Sequence, residues 1–75
     1  MSRRVDAAAE FIRKRIVDGR YARDVPAQAS LAVQMGETRS IVASALRVVA
    51  DQGLIYHNSK RGSYIVTNPF RRTDV

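Results

Sequence analysis

The sequence predicts an α+β domain in which three short helices are followed by a β-hairpin. Apolar residues recur at helical spacing in three segments before residue 53, and two segments after it are rich in β-branched and aromatic residues. Glycines at positions 19, 36, 53 and 62 separate these segments, at points where helices end or turns form. A chain of 75 residues has room for one domain with one modest core.

The first helix is indicated by apolar residues that fall on one side of a helix, with charged residues on the other. The apolar set is Val5, Ala8, Ala9, Ile12 and Ile16. We expect Gly19 to end this helix, because glycine readily adopts the left-handed conformation found just past a helix C-terminus. A short extended segment should follow, since Pro26 keeps Val25 out of the helical region.

The second and third helices are predicted at residues 26–35 and 39–52. Pro26 suits a first helical turn, and Gly36 breaks the chain after Met35. Thr38 offers a side-chain oxygen to cap the third helix, and Gly53 ends it. Because the connection between the two helices is so short, the spacing predicts a helix-turn-helix.

The hairpin is predicted from strands at residues 54–57 and 63–67, joined by a basic turn at 58–62. Residues 68–75 have no periodicity and are expected to form a short basic tail. Three helices and a hairpin in this order make a winged helix-turn-helix, which we expect to occupy residues 1–67.

The net charge of +6 favours a polyanionic partner, and its distribution is uneven. Both ends of the chain carry the positive excess, whereas residues 25–53 have as many acidic as basic side chains. A solvated, soluble surface would also explain this charge. No apolar run is long enough for a membrane span and no signal peptide is visible, so we expect a cytoplasmic protein with no membrane partner.

The residues that catalysis requires are scattered or missing. The chain has no cysteine, His57 is the only histidine, and no glycine-rich phosphate loop is present. We therefore expect no enzyme activity, no cofactor, no metal site and no catalytic residue. His57 is expected to be a strand residue near the backbone rather than a metal ligand or a base.

The third helix has one wide apolar side and one small polar side. The polar side comprises Arg39, Ser40, Ala43, Ser44, Arg47 and Asp51. Small side chains permit close approach to a major groove, and arginine can donate two hydrogen bonds to guanine. The alternative is a plain solvated helix face.

The hairpin turn places Lys60 and Arg61 where they could lie against a phosphate backbone or reach into a minor groove. The alternative for these charges is protection of an exposed strand edge.

These residues, taken together, resemble the N-terminal DNA-binding domain of GntR-type bacterial transcription regulators. The resemblance covers residues 5–67 and rests on Ile12, Ile16, Gly19, Tyr21, Val25-Pro26, Leu31-Ala32, Met35-Gly36, Thr38-Arg39, Ala45-Leu46, Gly53-Leu54-Ile55 and Gly62-Ser63-Tyr64-Ile65. It implies DNA contacts from Thr38 and Arg39 and from the wing at Lys60, Arg61 and Gly62. With the polar side of the third helix and Gln28, the expected DNA-binding set is Gln28, Thr38, Arg39, Ser40, Ala43, Arg47, Lys60, Arg61 and Gly62.

The chain departs from the family pattern in two respects. Ala27 and Ala29 stand where the family has a serine and an arginine at the start of the second helix, so its base preference does not carry over. Family members also continue into a domain that binds a metabolite and dimerises. We therefore expect no small-molecule effector, and either an excised domain or a free-standing DNA binder that is monomeric, weakly dimeric or dimeric only on DNA.

The function expected from these observations is sequence-specific binding of double-stranded DNA by a nucleoid-associated transcription regulator, a repressor. Two alternatives remain open. One is an architectural, segregation or recombination protein that coats tandem DNA sites. The other is a winged helix that binds proteins and has lost DNA binding.

Overall fold

A computed structural model describes residues 2–21 and 23–67 of the chain. The expected basic tail at 68–75 lies outside these residues. The elements follow the predicted order: α1 (Arg3–Val17), α2 (Gln28–Met35), α3 (Arg39–Asp51), β1 (Ile55–Asn58) and β2 (Ser63–Val66). Three helices followed by an antiparallel hairpin give the predicted α+β, winged helix-turn-helix layout.

Helix α1 begins with a side-chain cap, because the Ser2 hydroxyl accepts hydrogen bonds from the backbone N–H groups of Arg4 and Val5. Four residues of the predicted apolar side are buried, Val5, Ala8, Ala9 and Ile12, and the fifth, Ile16, is half-buried against the core. The predicted stop is confirmed, since the helix ends at Val17 and Gly19 follows with a φ of 77°.

Helix α2 starts two residues later than predicted. The N–H of Val25 donates to the carbonyl of Tyr64 at 3.0 Å, so the chain is still tied to the hairpin at residue 25. Ala27 keeps an extended backbone with ψ of 155°, and the first helical residue is therefore Gln28. Proline is common in a first helical turn, but here Pro26 and Ala27 connect the segment paired with the hairpin to the start of α2.

The turn between α2 and α3 has the predicted signals. Gly36 adopts a φ of 68°, and the N–H of Glu37 donates to the carbonyl of Ala32 at 2.9 Å, which closes the last turn of α2. The Thr38 hydroxyl then accepts from the N–H of Ile41 at 3.2 Å and caps α3. Helix α3 ends at Asp51, one residue before the predicted end.

The hairpin pairs Ile55 with Val66 and Asn58 with Ser63. Strand β1 lies one residue later than predicted, whereas β2 begins at the predicted residue and ends one residue earlier. The sequence predicted an extended segment before Pro26, but not its pairing with the hairpin. Asp24 forms an antiparallel bridge with Ile65, and the N–H of Val66 donates to the carbonyl of Arg23 at 2.8 Å. The extended segment before α2 therefore covers the free edge of β2.

The core is centred on α3. Its buried side chains, with those of α1, α2 and the hairpin, form one apolar cluster whose largest fully buried members are Ile12, Leu31, Leu46, Ile55, Val42 and Val49. Because α3 buries only one side, its polar side is left at the surface. Within the described part of the chain, no helix is both long and apolar enough to cross a membrane.

We predict that Gly36→Ala lowers the free energy of unfolding by about 1 kcal/mol, because a side chain with Cβ is strained at a φ of 68°. A Cβ at this position would meet no atom within 4 Å, so strain alone should set the loss. Gly36→Asn should lose less, since asparagine tolerates the left-handed region better. Urea unfolding of the three proteins measures this, and equal losses for alanine and asparagine would contradict the explanation.

Candidate nucleic-acid interface

The start of α2, the start of α3 and the hairpin border a single open groove. Its volume is about 450 Å³, and its lining residues are Pro26, Ala27, Gln28, Ala29, Arg39, Leu46, His57, Gly62, Ser63 and Tyr64. Two of these side chains, Arg39 and His57, can carry positive charge, and no carboxylate lines the groove among the described residues. The groove therefore suits an anionic ligand.

The exposed side of α3 continues from this groove along the helix. Arg39, Ser40, Ser44 and Arg47 are exposed, and Ala43 is half-buried between them and the core. The predicted separation of the two sides of α3 is therefore confirmed. Arg39 is its first residue and lines the groove, whereas the other residues of this side lie beyond the groove lining.

The wing tip is organised by Asn58. Its side-chain oxygen accepts hydrogen bonds from the N–H groups of Lys60 and Arg61 at 3.0 and 3.2 Å. Its carbonyl accepts from the N–H of Gly62 at 2.8 Å, and Gly62 has a φ of 68° that makes this turn accessible. The turn occupies residues 59–62, and Lys60 and Arg61 are exposed at its tip, as predicted.

Arg61 has a partner that the sequence did not reveal. Its guanidinium donates to the Asp24 carboxylate at 3.1 Å, from the bridge that joins Asp24 to β2. The two side chains are 54% and 46% exposed, so water screens the pair and its contribution to stability is small. Among the described residues, Asp24 is the one side-chain partner of this guanidinium, which has further N–H groups that can bind an anion.

Gln28 lies in the first turn of α2 and is half-buried at the groove. The residue at the N-cap of this helix is Ala27, which has no side-chain oxygen, so the helix has no side-chain cap, as predicted. Thr38 is exposed and has a clear local role, because its hydroxyl caps α3. The predicted residues Gln28, Arg39 and Gly62 therefore meet in the groove, whereas Lys60, Arg61 and the rest of α3 flank it.

Three groove residues on the hairpin were not among the predicted contacts: His57, Ser63 and Tyr64. The imidazole of His57 meets the ring of Tyr64 edge-on, with 5.2 Å between ring centroids and 72° between planes. A signal for His57 was present in the sequence, because side chains two apart on a strand share a face and Ile55 is apolar.

An ion pair fixes the far side of the helix-turn-helix. Arg4 donates from two guanidinium nitrogens to Glu37, at 2.6 and 3.2 Å, and so joins the start of α1 to the turn before α3. The hydrogen bonds from Arg4 hold the pKa of the Glu37 carboxyl below its ordinary value. The pair therefore stays ionised at neutral pH, immediately before the residue that caps α3.

Residues that could hold a metal ion do not cluster within residues 2–21 and 23–67. Comparisons of the chain with protein-family models, characterised proteins and solved structures found no match. We therefore infer function from the groove and the surfaces beside it.

We predict that Arg4→Gln raises the pKa of the Glu37 carboxyl toward its ordinary value, because the hydrogen bonds that lower it are lost. The folded-state pKa is depressed, so the pair stabilises the fold at pH values above the unfolded pKa, and this contribution is lost as pH falls through the folded pKa. The melting-temperature difference between wild type and Arg4→Gln should thus shrink on acidification.

An NMR titration of the Glu37 side chain measures this pKa directly. Arg3→Gln removes the same charge one residue away and is the matched control. A Glu37 pKa that responds equally to both substitutions would show that general charge, not the Arg4 contact, sets it.

Proposed function

We propose that this chain is a sequence-specific, double-stranded-DNA-binding transcription regulator of the GntR type, acting as a repressor in the cytoplasm on the nucleoid. The observation that carries the proposal is the groove lined by Arg39, His57 and Gly62, with the polar side of α3 on one flank and the basic wing tip on the other. In this proposal α3 enters the major groove, and the wing lies on the adjacent backbone or minor groove.

The dimensions and chemistry of α3 support its role in base recognition. The helix has 13 residues and is about 20 Å long, enough to follow a major groove that is about 12 Å wide. Ser40 and Ser44 are small and exposed, so the helix can approach base edges closely. Arg39 stands at the end of the helix that enters first, where its guanidinium can donate to guanine O6 and N7.

Charge supports the roles of the wing and of the groove. Phosphate contacts contribute affinity by releasing counterions, and they need exposed cations that can move to meet the backbone. Lys60 and Arg61 are exposed on a turn held by its own hydrogen bonds, so they can contact phosphate without unfolding the hairpin. Repression needs only occupancy of a promoter, which a DNA-binding surface supplies by itself.

Selection of bound sites from random double-stranded DNA, followed by footprinting, tests this proposal. We expect an enriched motif with a footprint of one or two half-sites, and inverted half-sites would indicate pairing of two copies on DNA. An extended protected tract would instead support a coating protein. If salt-dependent binding to DNA were absent, the proposal would be wrong, and a protein-binding winged helix would replace it.

We predict that Arg39→Ala weakens binding to the best selected site by about 1–3 kcal/mol and binding to random DNA much less, because the lost hydrogen bonds read a base. Arg39→Lys keeps the charge without the two-pronged donor geometry, and should retain random binding while losing selectivity. Fluorescence anisotropy on both duplexes measures this. Equal losses on selected and random DNA would reassign Arg39 to a phosphate.

We predict that replacing both Lys60 and Arg61 with glutamine weakens binding to every sequence and makes the slope of log affinity against log salt shallower by about 1.8, at ~0.9 per phosphate contact. Loss of the exposed Asp24 pair should change stability by less than about 0.5 kcal/mol. Removing Lys14 and Arg20, two exposed cations outside the groove lining, is the matched control.

A slope change near one would mean that one of the two side chains enters the minor groove or stays free of DNA. Unchanged slope and unchanged affinity would remove the wing from the interface.

A further inference from the structure

His57 lies on the face of the hairpin that packs against the core, but just beyond the last buried residue of β1. In the register, Ile55 pairs with Val66 and His57 pairs with Tyr64. Residues two apart on a strand share a face, so His57 follows buried Ile55 on the side that packs toward α3. Beyond Ile55 the core ends, and His57 is exposed in the groove beside Arg39.

The groups around the imidazole are aromatic or positively charged. Tyr64 contacts it from β2, and Arg39 shares the groove from α3. The α2 side contributes Pro26 and residues 27–29, none of which carries charge. The carboxylate of Asp24, on the wing side, is paired with Arg61 and does not line the groove. The described lining of the groove therefore offers the imidazole no carboxylate partner.

Resting on the proposed function, we propose that His57 is a further DNA-contacting residue, which binds a backbone phosphate as an imidazolium, so that DNA binding takes up a proton. Histidine is the side chain whose charge ordinarily changes between about pH 5 and pH 8. A phosphate bound in the groove supplies the negative partner that the groove lining lacks, and so favours the imidazolium in the complex. The edge contact with Tyr64 packs the ring against β2, and both residues line the groove.

The sign of the pH effect follows from this difference. The complex holds the proton more tightly than the free protein does, so affinity is greatest at low pH. Affinity falls as pH rises through the range in which the free and then the bound imidazole lose their protons. It becomes constant again once both are neutral.

The test measures the affinity of the full chain for a short mixed-sequence DNA duplex from pH 6 to pH 8 at constant salt. Wild type should weaken by about tenfold over this range. His57→Asn should bind at all pH values with the weaker affinity of wild type at pH 8. His57→Arg, which is always charged, should bind at all pH values nearly as tightly as wild type at pH 6. Circular dichroism melts confirm that each variant is folded.

Salt dependence supplies a second readout that a merely structural role would not change. For wild type, the slope of log affinity against log salt should be steeper at pH 6 than at pH 8 by up to ~0.9, one phosphate contact. The two slopes should coincide for His57→Asn. The chain's α-amino group also titrates near neutral pH, and comparison of the two proteins cancels its contribution.

Tyr56 provides the matched control, because it is exposed on the opposite face of β1. Tyr56→His in the His57→Asn background restores an imidazole next to the groove but facing away from it. We expect no recovery of pH dependence, and full recovery would overturn the proposal by showing that general charge is sufficient. Equal pH dependence in wild type and His57→Asn would also overturn it. Absence of DNA binding at every pH would instead overturn the proposed function.

Discussion

The packing of one side of α3 against α1 and the hairpin is the constraint on which the rest of the structure depends. Val42, Leu46 and Val49 are fully or almost fully buried, so rotation of α3 about its axis would expose apolar surface and bury the arginines of its other side. The same packing fixes where the first residue of α3 stands relative to β1. A small core held without disulfides therefore determines the position of the groove as well as the stability of the domain.

Local signals were enough to predict the elements and much of the site. Helical periodicity, Gly36 and Thr38 gave the helix-turn-helix, and the small polar residues of α3 gave its exposed side. Contacts between distant segments were not predicted. The bridge from Asp24 to Ile65 has no local signature, because it depends on how α1 directs the chain toward the hairpin. This bridge also explains why α2 begins at Gln28, so one missed long-range contact accounts for the displaced boundary.

The residues in and around the candidate site divide in the same way. Arg39 and the turn at 59–62 could be predicted because each sits at a recognisable local position, a helix start or a turn. The partners Asp24 and Glu37 were seen only as scattered carboxylates, since the residues they pair with lie far away in sequence. Asp24 binds Arg61 on the wing side, whereas Glu37 binds Arg4 on the far side of the helix-turn-helix, and neither carboxylate lines the groove. His57 was placed correctly in a strand, but its place beside Arg39 required the strand register.

The pairing of residues 23–25 with β2 has a consequence for how the domain forms. Helices α2 and α3 and strand β1 lie between the two bridge partners, Asp24 and Ile65, so this part of the sheet closes a long loop. Such closure costs conformational entropy that only the assembled core can offset. The core contains side chains of both the helices and the hairpin, so neither part has a complete core by itself. We therefore expect the helices and the hairpin to fold and unfold together in one cooperative transition.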